Sequence, residues 1–109
     1  MHAVLDMVSK NEFWCKVIKT KFDFLVAICD KDLLGKSLKV EKSFKIEISE
    51  RFYKEKIVDE KEAIRLMEKA TIGNLFGENI VKLAIENNFI REENIIYIDG
   101  VPHAQFIKV

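Results

Sequence analysis

Glycine and proline are nearly missing from this chain, with four and one among 109 residues. Such a loop-poor composition, with 33% charged residues, is common in heat-adapted proteins. No run reaches 18 apolar residues and no signal-peptide pattern opens the chain, so a membrane-free cytoplasmic protein is expected. Net charge is absent too: 18 basic side chains balance 18 acidic ones. That excludes strong non-specific nucleic-acid binding, which needs several uncompensated Lys or Arg at phosphates. The balance is uneven along the chain, however. Residues 1–58 carry 12 basic against 9 acidic side chains, and residues 59–109 carry 6 against 9.

Cys15 and Cys29 are the only cysteines, fourteen apart in strand-like runs, without CxxC spacing. They read as buried, reduced thiols. Of the two histidines, His2 sits in a stretch without periodicity, and no two ligands show a metal-binding spacing. No metal and no cofactor are expected. Lys36-Ser37 after Gly35 resembles the end of a phosphate loop, but Asp30 stands where the first glycine belongs, and strands follow rather than a helix.

What is present is a set of strand-like runs followed by one apolar helical stretch. Residues 1–11 lack a period and read as a loosely attached arm; residues 12–109 read as one domain. Glu12–Thr20 and Phe22–Cys29 are aromatic and β-branched on both faces, as in central strands covered on both sides. The short Thr20-Lys21 connection makes them an antiparallel hairpin. Asp30–Ser37 is a turn closed by Gly35. Leu38–Val40 and Phe44–Ile48 form a second hairpin, with Phe44, Ile46 and Ile48 facing inward. Ser49–Val58 reads as a connector anchored by Phe52 and Tyr53. Asp59 then caps a helix whose stripe is Ala63, Leu66, Met67 and Ala70.

Beyond Ala70 the apolar direction reverses. Ile72, Leu75, Phe76, Ile80 and Leu83 point nearly opposite to the first stripe at 100° per residue. A helix break or tight turn between Thr71 and Gly77 follows, since Gly73 and Gly77 lie inside it. The second helix ends near Asn87-Asn88. Asn94–Ile98 and Val101–Val109 form the last hairpin, around the two-residue Asp99-Gly100 turn. The expected fold is α+β, a mostly antiparallel sheet of hairpins with two helices, in the order ββ-ββ-αα-ββ.

The last hairpin also holds the best candidate for chemistry. With Asp99-Gly100 as the turn, Tyr97 and Pro102 form a non-hydrogen-bonded pair, and Pro102's nitrogen points away from its partner. The last strand should then be a free or bulged edge there. His103 follows, opposite Ile96 and on the face of Gln105. A histidine there suits a general acid or base, or a ligand contact, unless it is simply a half-buried strand residue. Asn74 and Asn79 are candidate partners for it. Cys15, Cys29 and Ser37 are the candidate nucleophiles, none inside a recognised motif. Lys36, Lys39, Lys42 and Lys45 are either solvated residues protecting an edge or a patch for RNA phosphates.

The segments FWCKV at Phe13–Val17, LVAICD at Leu25–Asp30, LLGK at Leu33–Lys36, ATIGNLFGENIVKLA at Ala70–Ala84 and IDGVPHAQ at Ile98–Gln105 resemble a small archaeal family. It is domain-of-unknown-function family 424, whose members begin near Phe13, so that residues 1–11 look like an extension. The resemblance brings no activity. It implies a translational or RNA context, with RNA or ribosome-associated proteins as partners. A small-molecule enzyme centred on His103, or a protein-interaction module using a sheet edge, are the alternatives.

Overall fold

Two strongly apolar runs pair first: Glu12–Lys19 (β1) and Phe24–Asp30 (β2) form an antiparallel hairpin in which Ile18 faces Leu25 and Trp14 faces Cys29. The computed structural model describes residues 11–109, so the arm expected over residues 1–11 lies, except for Asn11, outside the described residues. After a 3-10 turn over Lys31–Leu33 come Ser37–Glu41 (β3) and Phe44–Glu47 (β4), a separate two-stranded sheet. Then follow Glu50–Tyr53 (α1), Lys56–Asp59 (β5), Glu60–Lys69 (α2), Ile72–Phe76 (β6), Glu78–Glu86 (α3), Ile96–Ile98 (β7) and Val101–Ile107 (β8). The main sheet has six strands in the order β5-β1-β2-β6-β8-β7. Only the β2–β6 pair is parallel.

Both faces of this sheet are used. On one, Phe13, Cys15, Val26, Ile28 and Leu75 pack against Ala63, Leu66 and Met67 of α2 and Ile80, Leu83 and Ala84 of α3. Helices of ten and nine residues are marginal alone, so this burial is what holds them. On the other face, Ala27, Cys29 and Phe76 pack against Leu38 and Ile48 from the β3–β4 segment and Tyr53 of α1. That cover is partial.

α2 starts as its sequence dictates: the Asp59 carboxylate accepts from the Glu62 N–H at 2.9 Å. α3 is capped from a distance. Its N-cap is Gly77, at φ +125°, and the caps for its free amides come from β2. Asp30 accepts from the Asn79 and Ile80 N–H groups, each at 2.9 Å. A Cβ on Gly77 would overlap that carboxylate, so glycine is required both for conformation and for room.

Several expectations need correction. The break between Thr71 and Gly77 is real, but it is the strand β6, so the helices do not follow one another directly. Ile72, Leu75 and Phe76 alternate across a sheet rather than line a helix. The connector at Ser49–Val58 contains α1 and the edge strand β5, giving eight strands and three helices among the described residues. Phe22 stays outside β2 and is 81% exposed. Phe44 does not face in: the ladder shifts between Lys39 and Glu41, and Phe44 is left 57% exposed beside the turn. Nor is β8 a free edge, since it lies between β6 and β7. Pro102 is tolerated because β6 leaves the sheet at that level. Gly77 donates its N–H to the Pro102 carbonyl at 2.9 Å, and its own carbonyl turns to Val81 in α3. The return bond that proline lacks is never required.

Candidate functional site

Side chains directly opposite each other across a ladder share a face. The registers therefore align rows on the partly covered face. One row is Trp14, Cys29, Phe76 and His103. The next is Lys16, Ala27, Asn74 and Gln105. The last is aliphatic and open: Ile18, Leu25, Ile72 and Ile107. The β3–β4 segment and α1 cover the first row and stop at the second, so a polar row lies on the boundary between core and water.

Asn74 organises that boundary. Its Nδ2 donates to the buried Tyr53 hydroxyl at 2.8 Å. Its Oδ1 accepts from Gln105 Nε2 at 2.9 Å and lies 3.1 Å from His103 Nε2. Because Oδ1 can only accept, the proton of neutral His103 belongs on Nε2, and Nδ1 is the free acceptor. The His103 ring also packs on Phe76, centroids 4.7 Å apart. Burial lowers its pKa, so the imidazole is neutral at pH 7. Burial likewise raises the Tyr53 phenol far above its ordinary value, with Cys29 adding to the effect. A shallow cavity of about 230 Å³, lined by Asn94, Ile96, His103, Ala104 and Gln105, opens beside the row.

The arrangement brings His103, Asn74 and Gln105 together, as their sequence positions suggested. It does not bring Asn79, whose backbone amide is held by Asp30 near the start of α3. It supplies no nucleophile either. Cys15 and Cys29 are buried free thiols, both pushed up by burial to about 12. Among the described residues, no hydrogen bond joins Cys15, Cys29 or Ser37 to His103. The one hydrogen-bond contact of the imidazole is thus with Asn74, among the described residues.

Lys36, Lys39, Lys42 and Lys45 form a separate patch on the β3–β4 segment, all exposed. Lys39 stands directly opposite Lys45, so these two do share a face. None of the four has a carboxylate within ion-pair distance among the described residues.

Two important residues escaped sequence reasoning. Tyr53 read as an apolar anchor, and its hydroxyl turns out to orient Asn74. Asp30 read as a turn residue, yet it caps α3 from β2. The only signal for Asp30 was an acidic residue ending an otherwise apolar strand, ahead of a helix with glycine at its N-cap.

The family described as "Protein of unknown function (DUF424)" matches this chain over residues 20–109. The chain belongs to that family. The match spans every element from β2 onward, including Asn74, His103 and Gln105 and the four lysines. A similar solved structure is described as an uncharacterized conserved protein from Methanopyrus kandleri. It is 28% identical with a TM-score of 0.76, and the alignment covers 90% of this chain and 94% of the other. No curated protein matches. The DUF424 domain is thus an α+β fold with an archaeal neighbour and without an assigned activity.

Proposed function

We propose that this DUF424 protein is an accessory factor in translation or RNA handling that touches RNA phosphates through the β3–β4 hairpin. The observation carrying this reading is the Lys39–Lys45 pair. Like charges directly opposite in a ladder destabilise it. Neither lysine is in an ion pair among the described residues, and Lys36 at the base of the hairpin and Lys42 in its turn add charge on either side. A phosphate chain would relieve that repulsion. The molecule as a whole carries no net charge, so the remainder is acidic and binding is weak and local.

The test is fluorescence anisotropy with single-stranded and duplex RNA across salt concentrations. Four phosphate contacts give a log–log slope of about −3 for single strands. Replacing Lys36, Lys39, Lys42 and Lys45 by Glu should abolish binding. Unchanged affinity after this replacement removes the hairpin from the reading. The alternative, a small-molecule enzyme centred on His103, has the cavity beside Gln105 in its favour and lacks a nucleophile.

A further inference from the structure

A sizeable cavity lies on the other face of the sheet, away from His103 and the lysines. Its volume is about 440 Å³ and it runs between α3 and β7. Val81, Ile85, Ile95 and Pro102 supply an apolar floor, with Tyr97 beside it. The rim is acidic: Glu78, Glu86 and Glu92 stand against the single Lys82. None of these three carboxylates is in an ion pair among the described residues.

This groove adjoins a free edge. β7 ends the six-stranded sheet. The Asp99-Gly100 turn, with φ of 52° and 80°, is closed by the Ile98–Val101 pair. Tyr97 and Pro102 therefore form the non-hydrogen-bonded pair, and the Tyr97 N–H and C=O point outward from the sheet. Tyr97 itself is 67% exposed. An incoming strand that bonded to those two groups would put the side chain opposite Tyr97 on the groove's face. A long cationic side chain suits that position. Its methylenes would lie along Val81 and Ile85 while its charge met the rim.

We propose that the groove beside β7 binds an extended basic peptide segment of another protein, added as a short strand at Tyr97, with an Arg or Lys side chain seated between α3 and β7. The main-chain bonds supply attachment and the groove supplies selection. Nucleic acid is excluded by charge, so this surface is distinct from the RNA contact proposed for the β3–β4 hairpin and stands without it.

The test uses a blocked Thr-Arg-Thr-Arg-Thr peptide titrated into the isotopically labelled protein and followed by amide NMR shifts. Three controls accompany it: the Glu-for-Arg peptide, the Arg peptide N-methylated along its pairing edge, and the protein with Glu86→Lys and Glu92→Lys. The Arg peptide should shift Ile85, Ile95 and Tyr97. N-methylation, and separately the double charge reversal, should each weaken it at least about tenfold. Both protein substitutions are at exposed positions, and the unshifted remainder of the spectrum reports the intact fold. Absence of groove shifts at millimolar Arg peptide overturns the proposal. So does equal binding of the N-methylated or acidic peptide, or RNA that shifts the same amides.

Discussion

At the scale of single residues, Asn74 has the heaviest task. One amide satisfies the buried Tyr53 hydroxyl and holds both Gln105 and His103. Asn74→Ala leaves that hydroxyl without the donor it accepts from, and an orphaned buried acceptor costs about 1–3 kcal/mol. Denaturant unfolding should show a loss of that order, with an unchanged m-value. His103 has a different signature. Its folded pKa is below the ordinary value, so as pH falls the unfolded chain takes up the proton first. The stability linked to neutral His103 is complete above about pH 6.5 and declines as pH falls below it. Asp30 acts in the opposite sense at lower pH: desolvation raises its carboxyl, against the two amides that lower it. Comparing wild type with His103→Gln cancels the Asp30 contribution. The glutamine amide can still donate toward Asn74 but does not titrate. The difference in unfolding free energy between the two proteins should therefore narrow as pH falls below about 6.5. A constant difference would mean that His103 titrates alike in both states. Replacing both Cys15 and Cys29 by Val should preserve the fold and any RNA affinity, because neither thiol has a charge or an open approach near pH 7.

At the scale of elements, β6 explains both what was legible and what was not. The reversal of apolar direction after Ala70 and the two glycines located an interruption. Ile72, Leu75 and Phe76 fit a helical spacing as well as a strand, and short apolar runs are ambiguous between the two. What decides is across the sheet. Gly73 pairs with Phe106, whose ring occupies the space above the glycine where a Cβ would stand. A lone sequence cannot show that pairing. By contrast, β7–β8 was readable to the residue because Asp99-Gly100 sets its register locally, and that register placed His103 beside Gln105. The inference from Pro102 failed for a definite reason: a neighbour that ends beside the proline satisfies the same constraint as an empty edge. Gly73→Ala should cost about 1–3 kcal/mol by overpacking. Phe106→Leu costs stability alone but should recover part of the loss in the double variant. A double-mutant cycle with no coupling would mean that the ring does not answer to this glycine.

At the scale of the whole molecule, charge is segregated where composition shows none. Among the described residues, lysines outside any ion pair occupy the β3–β4 hairpin, and carboxylates outside any ion pair line the groove beside β7. The two regions also differ in anchorage. β2 and β6 lie inside a six-stranded sheet, with Val26, Ile28 and Leu75 fully buried. The β3–β4 pair is only two-stranded, and such a unit is marginal without support. Its support is Leu38 and Ile48 in the core, with three specific bonds: Gly35 N–H to the Ile48 carbonyl at 2.8 Å, Ile48 N–H to the Lys36 carbonyl at 2.9 Å, and Lys39 N–H to Asp99 Oδ2 at 3.0 Å. Amide hydrogen exchange should therefore rank the two sheets. Val26 and Leu75 amides should exchange only through global unfolding, and those of β3 and β4 through local opening. Salt separates the cause. If Lys39 and Lys45 repel across the ladder, screening must stabilise the hairpin, so its amides should slow as salt rises from about 0.01 to about 1 M while Val26 and Leu75 serve as the internal reference. Lys45→Glu should produce the same slowing without salt and reverse the sign of the salt effect. Hairpin exchange that ignores salt in the wild type would show that the lysines do not strain the element, and would remove the observation on which the phosphate contact rests.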